Sequence, residues 1–298
     1  MFILKKIISD KKLYNIIKFL YRAISKTKLK SILVNNQKVV YLEANPKSEN
    51  VIVLLHGITA DKYIWPYFAR RFAKKGYRVI IPDLPPFGES QYDENIDYSV
   101  EYQAKNLRDI LKAIKLEGDF HLAGNSMGGG VAAKLAILHP ELIKSLILID
   151  NMGIYTAKRT EFLNNIESGG KNFLLIQNKE DLQKMLNLVY YKIPYIPKAV
   201  ARELIREGRL NYDLNKKVFD DLIKEEWYMD NDLDKIKVPT FILWGSDDKV
   251  FDISSVKILE EGIKGSSSDI INKSGHLPIN EHGDISSEKV MNFIENLK

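Results

Sequence analysis

Residues 120–129 read Phe-His-Leu-Ala-Gly-Asn-Ser-Met-Gly-Gly, and the reading of the whole chain turns on them. Residues 120–123 have the apolar character of a buried strand, and residues 127–139 that of a helix stopped by Pro140. Gly124 and Gly128 flank Ser126 at two residues on either side. A G-x-S-x-G string alone is common. Set between a strand and a helix, it describes a strained turn whose glycines let the backbone close on itself. The hydroxyl of Ser126 then stands above a sheet at the amino end of a helix, where the dipole favours a developing negative charge.

Outward from this turn, strands and helices alternate. Residues 51–55 (VIVLL), 77–82, 146–150, 240–244 and 268–271 read as strands, the apolar runs among them as strands covered on both faces. Residues 65–75, 99–116, 256–262 and 285–297 read as helices. Residues 30–34 and 38–44 form a predicted hairpin across Asn35-Asn36, residue types that tolerate positive φ. Between residues 153 and 232 no apolar strand run appears, only short polar-faced helices. The expected fold class is α/β, with a mostly parallel central sheet flanked by helices. Residues 30–152 and 233–298 make its core and residues 153–232 a helical cap; residues 1–29 stand apart.

Composition narrows the function. Of 298 residues, 45% are hydrophobic and 28% charged, which is globular rather than disordered or fibrous. The chain has no cysteine, which excludes disulfides, thiolate zinc sites and a cysteine nucleophile. No run of eighteen apolar residues offers a membrane span. Residues 1–30 hold nine Lys/Arg against one acid, Asp10, while the other 268 residues hold 35 basic and 38 acidic side chains. The positive charge is therefore on a tail rather than on a domain surface, and nucleic acid is not an expected partner.

That tail interleaves its charge with apolar residues. From Leu13 onward the apolar positions recur at three and four, with Lys11, Lys18 and Arg22 assigned to the opposite face. This is a basic amphipathic helix, expected either to lie in a membrane interface through residues 1–28 or to pack on the protein itself. Asp10-Lys11-Lys12 interrupts any secretory core, and no small-x-small site follows. The expected location is cytoplasmic or peripheral on a membrane.

A serine hydroxyl needs a base, and the base needs an orienting group. Of five histidines, only His276 lies just past a late strand, where side chains converge above a parallel sheet. His121 sits inside a strand, His56 and His139 read as structural, and His282 as a solvated loop residue. For the orienting acid, Asp247, Asp248 and Asp150 all follow strands and remain candidates. Two backbone N–H groups are expected to face the oxyanion: Met127, directly after the serine, and Ile58 in the turn after residues 51–55. Serine, imidazole, carboxyl and amides complete the chemistry, so no cofactor or metal is expected.

These pieces resemble the α/β-hydrolase superfamily from about residue 30 to 297. The motifs that carry the likeness are His56-Gly57, D-x-P-x-x-G-x-S over residues 83–90, G-N-S-M-G-G at 124–129, W-G-x-x-D at 244–248 and Gly275-His276. The resemblance implies a catalytic triad of Ser126, Asp248 and His276, choosing Asp248 over its neighbours. Within the superfamily the chain is most similar to the branch of membrane-associated monoacylglycerol lipases and bacterial lipases. The shared features are an apolar amino-terminal extension, the string at 250–254, and the cap segments at 196–200 and 211–213. The implied activity is hydrolysis of carboxylic esters of acyl chains, a small-molecule acyl ester being the substrate. The patch at 190–197, with Tyr190, Tyr191, Tyr195 and Ile196, is expected to meet the acyl chain or a bilayer. Hydrolases that cleave carbon–carbon bonds of ring-fission products share G-N-S-M-G-G and form the alternative, which calls for Arg202 or Arg206 pointing inward. A non-catalytic hydrolase fold that only binds its ligand is the third reading.

Overall fold

A computed structural model describes residues 9–224 and 229–297. Eight strands form one sheet: β1 (Lys28–Val34), β2 (Gln37–Ala44), β3 (Val51–Leu55), β4 (Arg78–Pro82), β5 (Phe120–Asn125), β6 (Ile143–Ile149), β7 (Thr240–Gly245) and β8 (Ser267–Ile271). Their order is β1-β2-β4-β3-β5-β6-β7-β8. The β1–β2 and β2–β4 pairs are antiparallel, and every later pair is parallel. The hairpin between β1 and β2 turns on Asn35 and Asn36, both at positive φ. The expected α/β class and mostly parallel sheet are borne out.

The sheet buries both faces, which is why its central strands read as unbroken apolar runs. Alternate residues of β3 divide between two cores. Val53 and Leu55 face the layer of α3 (Val100–Ala113), α4 (Met127–Leu138) and α9 (Ser254–Gly262), while Ile52 and Leu54 face α2 (Pro66–Lys74) and α11 (Gly283–Glu295). Each of these four side chains is fully buried and contributes roughly 1.5–3 kcal/mol.

Between β6 and β7 the chain forms α5 (Glu161–Glu167), α6 (Lys179–Val189), α7 (Lys198–Leu210) and α8 (Tyr212–Lys224), with no strand among the described residues. A short α10 (Pro278–Glu281) precedes α11.

The amino-terminal helix α1 (Asp10–Ser25) packs against α2 and α7. Its orientation corrects the sequence reading. Lys18 and Arg22, assigned to the outer face, are partly buried beside Leu13, Tyr14, Ile17 and Tyr21. Lys18 lies over the Tyr14 and Tyr63 rings and reaches to 3.9 Å from Asp61. Ile16, Phe19 and Leu20 are exposed instead. Residues 1–8 of the predicted helix lie outside the described residues. Among the described residues, no helix is long and apolar enough to cross a membrane.

Candidate active site

The strand order reverses at β3, whose neighbours are β4 on one side and β5 on the other. Ligands in open α/β sheets sit above such a switch point, at the carboxyl ends of the strands. His56-Gly57 follows β3 and Ser126 follows β5, and the two strands are paired in register, Leu55 opposite Gly124.

Ser126 is the amino-terminal cap of α4, with φ 57° and ψ −122°, a conformation that costs a non-glycine residue about 1–3 kcal/mol. The surroundings hold it there. Its N–H donates to the Ile149 carbonyl, and its own carbonyl accepts from Gly129, Gly130 and Met152. Close approach explains the flanking glycines. A Cβ on Gly124 would lie 2.1 Å from the Gly128 carbonyl oxygen, and one on Gly128 would lie 2.5 Å from that of Leu55. Gly57 passes so near that its own Cβ would meet the Ser126 Cβ at 3.0 Å. The next residue is Ile58. Neither the Ile58 nor the Met127 N–H has an acceptor in the chain among the described residues.

His276 lies in the loop between β8 and α10, and its Nδ1 is 2.8 Å from Asp248 Oδ2. The Asp248 side chain is fully buried, and its Oδ1 accepts the N–H groups of Val250 at 2.7 Å and Phe251 at 3.2 Å. Asp247 instead accepts the Ser246 hydroxyl and takes no part at His276. Asp150, at the end of β6, lies beside Asp248. Asn125, the last residue of β5, donates to the His276 carbonyl at 3.1 Å and to that of Ile149 at 3.2 Å. One amide side chain thus ties the serine turn to the histidine loop. Its position before the serine was visible in the sequence; its bonding was not.

The remaining histidines have other partners. His56 Nε2 accepts the Leu84 N–H while Nδ1 donates to the Gly57 carbonyl, and burial lowers its pKa. His121 bonds Ser145, and burial pushes it down to about 4. His139 pairs with Glu141, and His282 with the Lys273 carbonyl. A device whose pairing the sequence did not show supports the turn at 57–62: the buried Lys62 ammonium bonds Asp83 and Glu89, both of the 83–90 motif, and Asp83 also accepts the Lys62 and Glu89 N–H groups. Burial acts to lower the Lys62 pKa, but Asp83, Asp61 and Glu89 outweigh it and hold it raised.

Glu281 is a second such device. Its carboxylate accepts N–H groups from Gly275, Tyr191 and Lys192, fastening the segment after α6 to the residue before His276. Tyr190 donates its hydroxyl to Asn280 and packs in an apolar cluster with Phe251 and Leu277. Phe251 in turn meets the His276 ring edge-on at 5.5 Å. Of the predicted substrate contacts, Tyr190 reaches this cluster and Ile196 is partly buried, whereas Tyr191 and Tyr195 are exposed, Tyr195 at 91%. Ser126 and His276 are only 7% and 4% exposed. Arg202 is 60% exposed on Asp10, and Arg206 is 44% exposed on Glu203.

A family model described as the alpha/beta hydrolase fold matches residues 50–282, and the chain belongs to that family. Lipase 3 of Moraxella sp. (strain TA144) is 33% identical over 267 residues, which cover 87% of this chain and 82% of the lipase. Monoacylglycerol lipase abhd6-A of Xenopus laevis is 28% identical over 276 residues, covering 88% of this chain and 81% of that protein. The solved structure of a membrane phospholipase A superposes with a TM-score of 0.92 at 33% identity, covering 96% of this chain and 91% of that one. These relatives bear out the expected lipase and esterase class. Solved meta-cleavage product hydrolases, at 24% identity, share the fold alone.

Proposed function

We propose that this protein hydrolyses carboxylic esters of single acyl chains, such as monoacylglycerols, through an acyl-enzyme formed on Ser126. The observation that carries the reading is the 2.8 Å contact of His276 Nδ1 with the buried Asp248 carboxylate, in a loop tied by Asn125 to the turn bearing Ser126. Ser126 Oγ attacks the ester carbonyl as His276 Nε2 accepts its proton. Asp248 holds the Nδ1–H tautomer and stabilises the imidazolium. The Ile58 and Met127 N–H groups, free of other acceptors, stabilise the oxyanion, each worth about 2.7–4 kcal/mol. The imidazolium then protonates the leaving alcohol. Water, deprotonated by His276, releases the fatty acid and restores the serine.

Residues 153–232 act as a lid. The low exposure of Ser126 and His276 supports this, because an acyl chain needs a path to them. Tyr190, Phe251 and Leu277 supply an apolar wall next to the base. Exposed Arg202 and Arg206, each spent on a carboxylate partner, speak against the carboxylated substrate of a carbon–carbon hydrolase.

Peripheral membrane contact belongs to the same reading. Helix α1 turns Ile16, Phe19 and Leu20 outward with Lys12 exposed beside them, a face suited to an anionic bilayer. The test of function is hydrolysis of p-nitrophenyl esters from acetate to palmitate, wild type beside Ser126→Ala. The expected result is activity peaking at medium or long chains and lost in the variant. Silence of the wild type on every chain would overturn the reading. Flotation with phosphatidylglycerol vesicles tests the membrane contact: co-migration at low salt is expected, and its absence counts against it.

A further inference from the structure

Asp150 takes no part in the reaction as just described, yet it occupies the ground behind the base. It follows β6 with a left-handed backbone, φ 43°, and is fully buried. Its Oδ1 accepts the Gly245 N–H at 2.9 Å. Its Oδ2 is sealed from solvent and receives no N–H or O–H from any described residue. What stands beside it is another carboxyl. Asp150, Asp248 and His276 each bring a polar atom within 4.8 Å of the other two.

The donors are divided unequally between this pair. Asp248 already receives the Val250 and Phe251 N–H groups on Oδ1 and the His276 Nδ1 on Oδ2. Asp150 receives one N–H. Two buried carboxylates this close together do not both ionise, and the proton goes to the one whose charge is less well solvated. We propose that Asp150 is protonated on Oδ2 and donates a hydrogen bond to Asp248, as a positioning residue that fixes the orientation and charge of the carboxylate holding His276. The proposal rests on the reading of Ser126, Asp248 and His276 as the catalytic triad. Burial first, and the negative charges of Asp248 and Glu281 after it, push the Asp150 carboxyl well above the usual carboxylate range, in agreement with the geometry. Glu281 approaches from α10 with its own oxygens committed to the three N–H groups named above. No proton leaves Asp150 during the cycle.

Replacement separates the donor from the charge. Asp150→Asn keeps an acceptor for Gly245 and supplies an N–H toward Asp248; Asp150→Ala supplies neither. The experiment compares the pH profiles of kcat/KM for wild type, both variants and Ser126→Ala on one p-nitrophenyl ester. It adds the infrared difference spectrum of wild type minus Asp150→Asn at neutral pH. Loss of a hydrogen bond to a charged group predicts that Asp150→Ala drops kcat/KM about 10–100-fold. Its acid limb moves up, because an unsupported Asp248 charge favours the imidazolium. Asp150→Asn returns kcat/KM to within about threefold of wild type with the acid limb in place. The difference spectrum shows a protonated carboxyl C=O band. A downward move of the acid limb by about one unit in Asp150→Asn would overturn the proposal, since it reports a lost negative charge. So would an Asp150→Ala profile that matches wild type, or the absence of the carboxyl band. If Ser126→Ala keeps full activity, the triad reading fails instead, and the infrared band, which needs no turnover, still decides the protonation of Asp150.

Discussion

The turn at Ser126 and the helix α1 are both strongly patterned in sequence, but they are held by opposite means. At Ser126 backbone meets backbone. The Gly124 and Gly128 positions admit no Cβ, a positive φ is braced by four main-chain hydrogen bonds, and nearly every neighbouring side chain is buried. Helix α1 rests on the body through side chains instead, with Lys18 stretched over two tyrosine rings toward Asp61 and Asp10 paired with an exposed Arg202. Ile16, Phe19 and Leu20 are turned to solvent. A site fixed by main-chain geometry can hold reacting groups within tenths of an ångström. A helix held by half-buried side chains and exposed ion pairs is tied less tightly, which suits a surface that meets a bilayer.

Mutations should divide along the same line. The largest effect is expected for His276→Ala, with kcat/KM reduced on the order of 10⁴-fold or more and little change in the melting midpoint. An intact rate would break the account of the site. Gly124→Ala comes next: its Cβ falls 2.1 Å from a carbonyl oxygen, and about 3 kcal/mol of destabilisation in urea titration is expected. A variant as stable as wild type would show that the turn can relax and that the contrast with α1 is overdrawn.

Proton linkage at Asp150 supplies a third comparison. Its pKa is raised on folding, so above about pH 4, the ordinary carboxylate value, the folded chain binds a proton that the unfolded chain has lost. Stability from this group is therefore full at acid pH and falls as pH rises, by at most about 1.4 kcal/mol per pH unit. Asp150→Asn should lack that slope. Parallel stability profiles for the two proteins between pH 5 and 8 would contradict the assignment.

At α1 the effects are smaller and of another kind. Phe19→Glu combined with Leu20→Glu should weaken binding to phosphatidylglycerol vesicles at least about tenfold, from the apolar area withheld and the charge added. Turnover of a soluble ester should stay within about twofold of wild type. Arg202→Ala, which removes an exposed pair, should leave the melting midpoint within measurement error.

The same contrast explains what could be read in the residues. The strands, the turn and the placing of Ser126, Asp248 and His276 after strands were legible, because strained turns admit few residue types and doubly covered strands admit few polar ones. The inward face of α1 was not. An amphipathic pattern marks a stripe without saying which side meets the protein, and Lys18 and Arg22 bury their stems while carrying a charge. Asp150, Asp247 and Asp248 could not be ranked from spacing alone, since only the folded loop shows which carboxylate meets Nδ1. Asp83 stood in a motif, but its pairing with Lys62, like that of Glu281 with three amides from two distant segments, left no local signal because the partners come together only through the fold.

The most direct measurement is labelling with a fluorophosphonate, followed by peptide mass spectrometry and ester hydrolysis on the same sample. One adduct is expected, on Ser126, rising in parallel with loss of activity and greatly slowed in His276→Ala. Inactivation with the adduct on another residue, or full activity retained after Ser126 is modified, would contradict it.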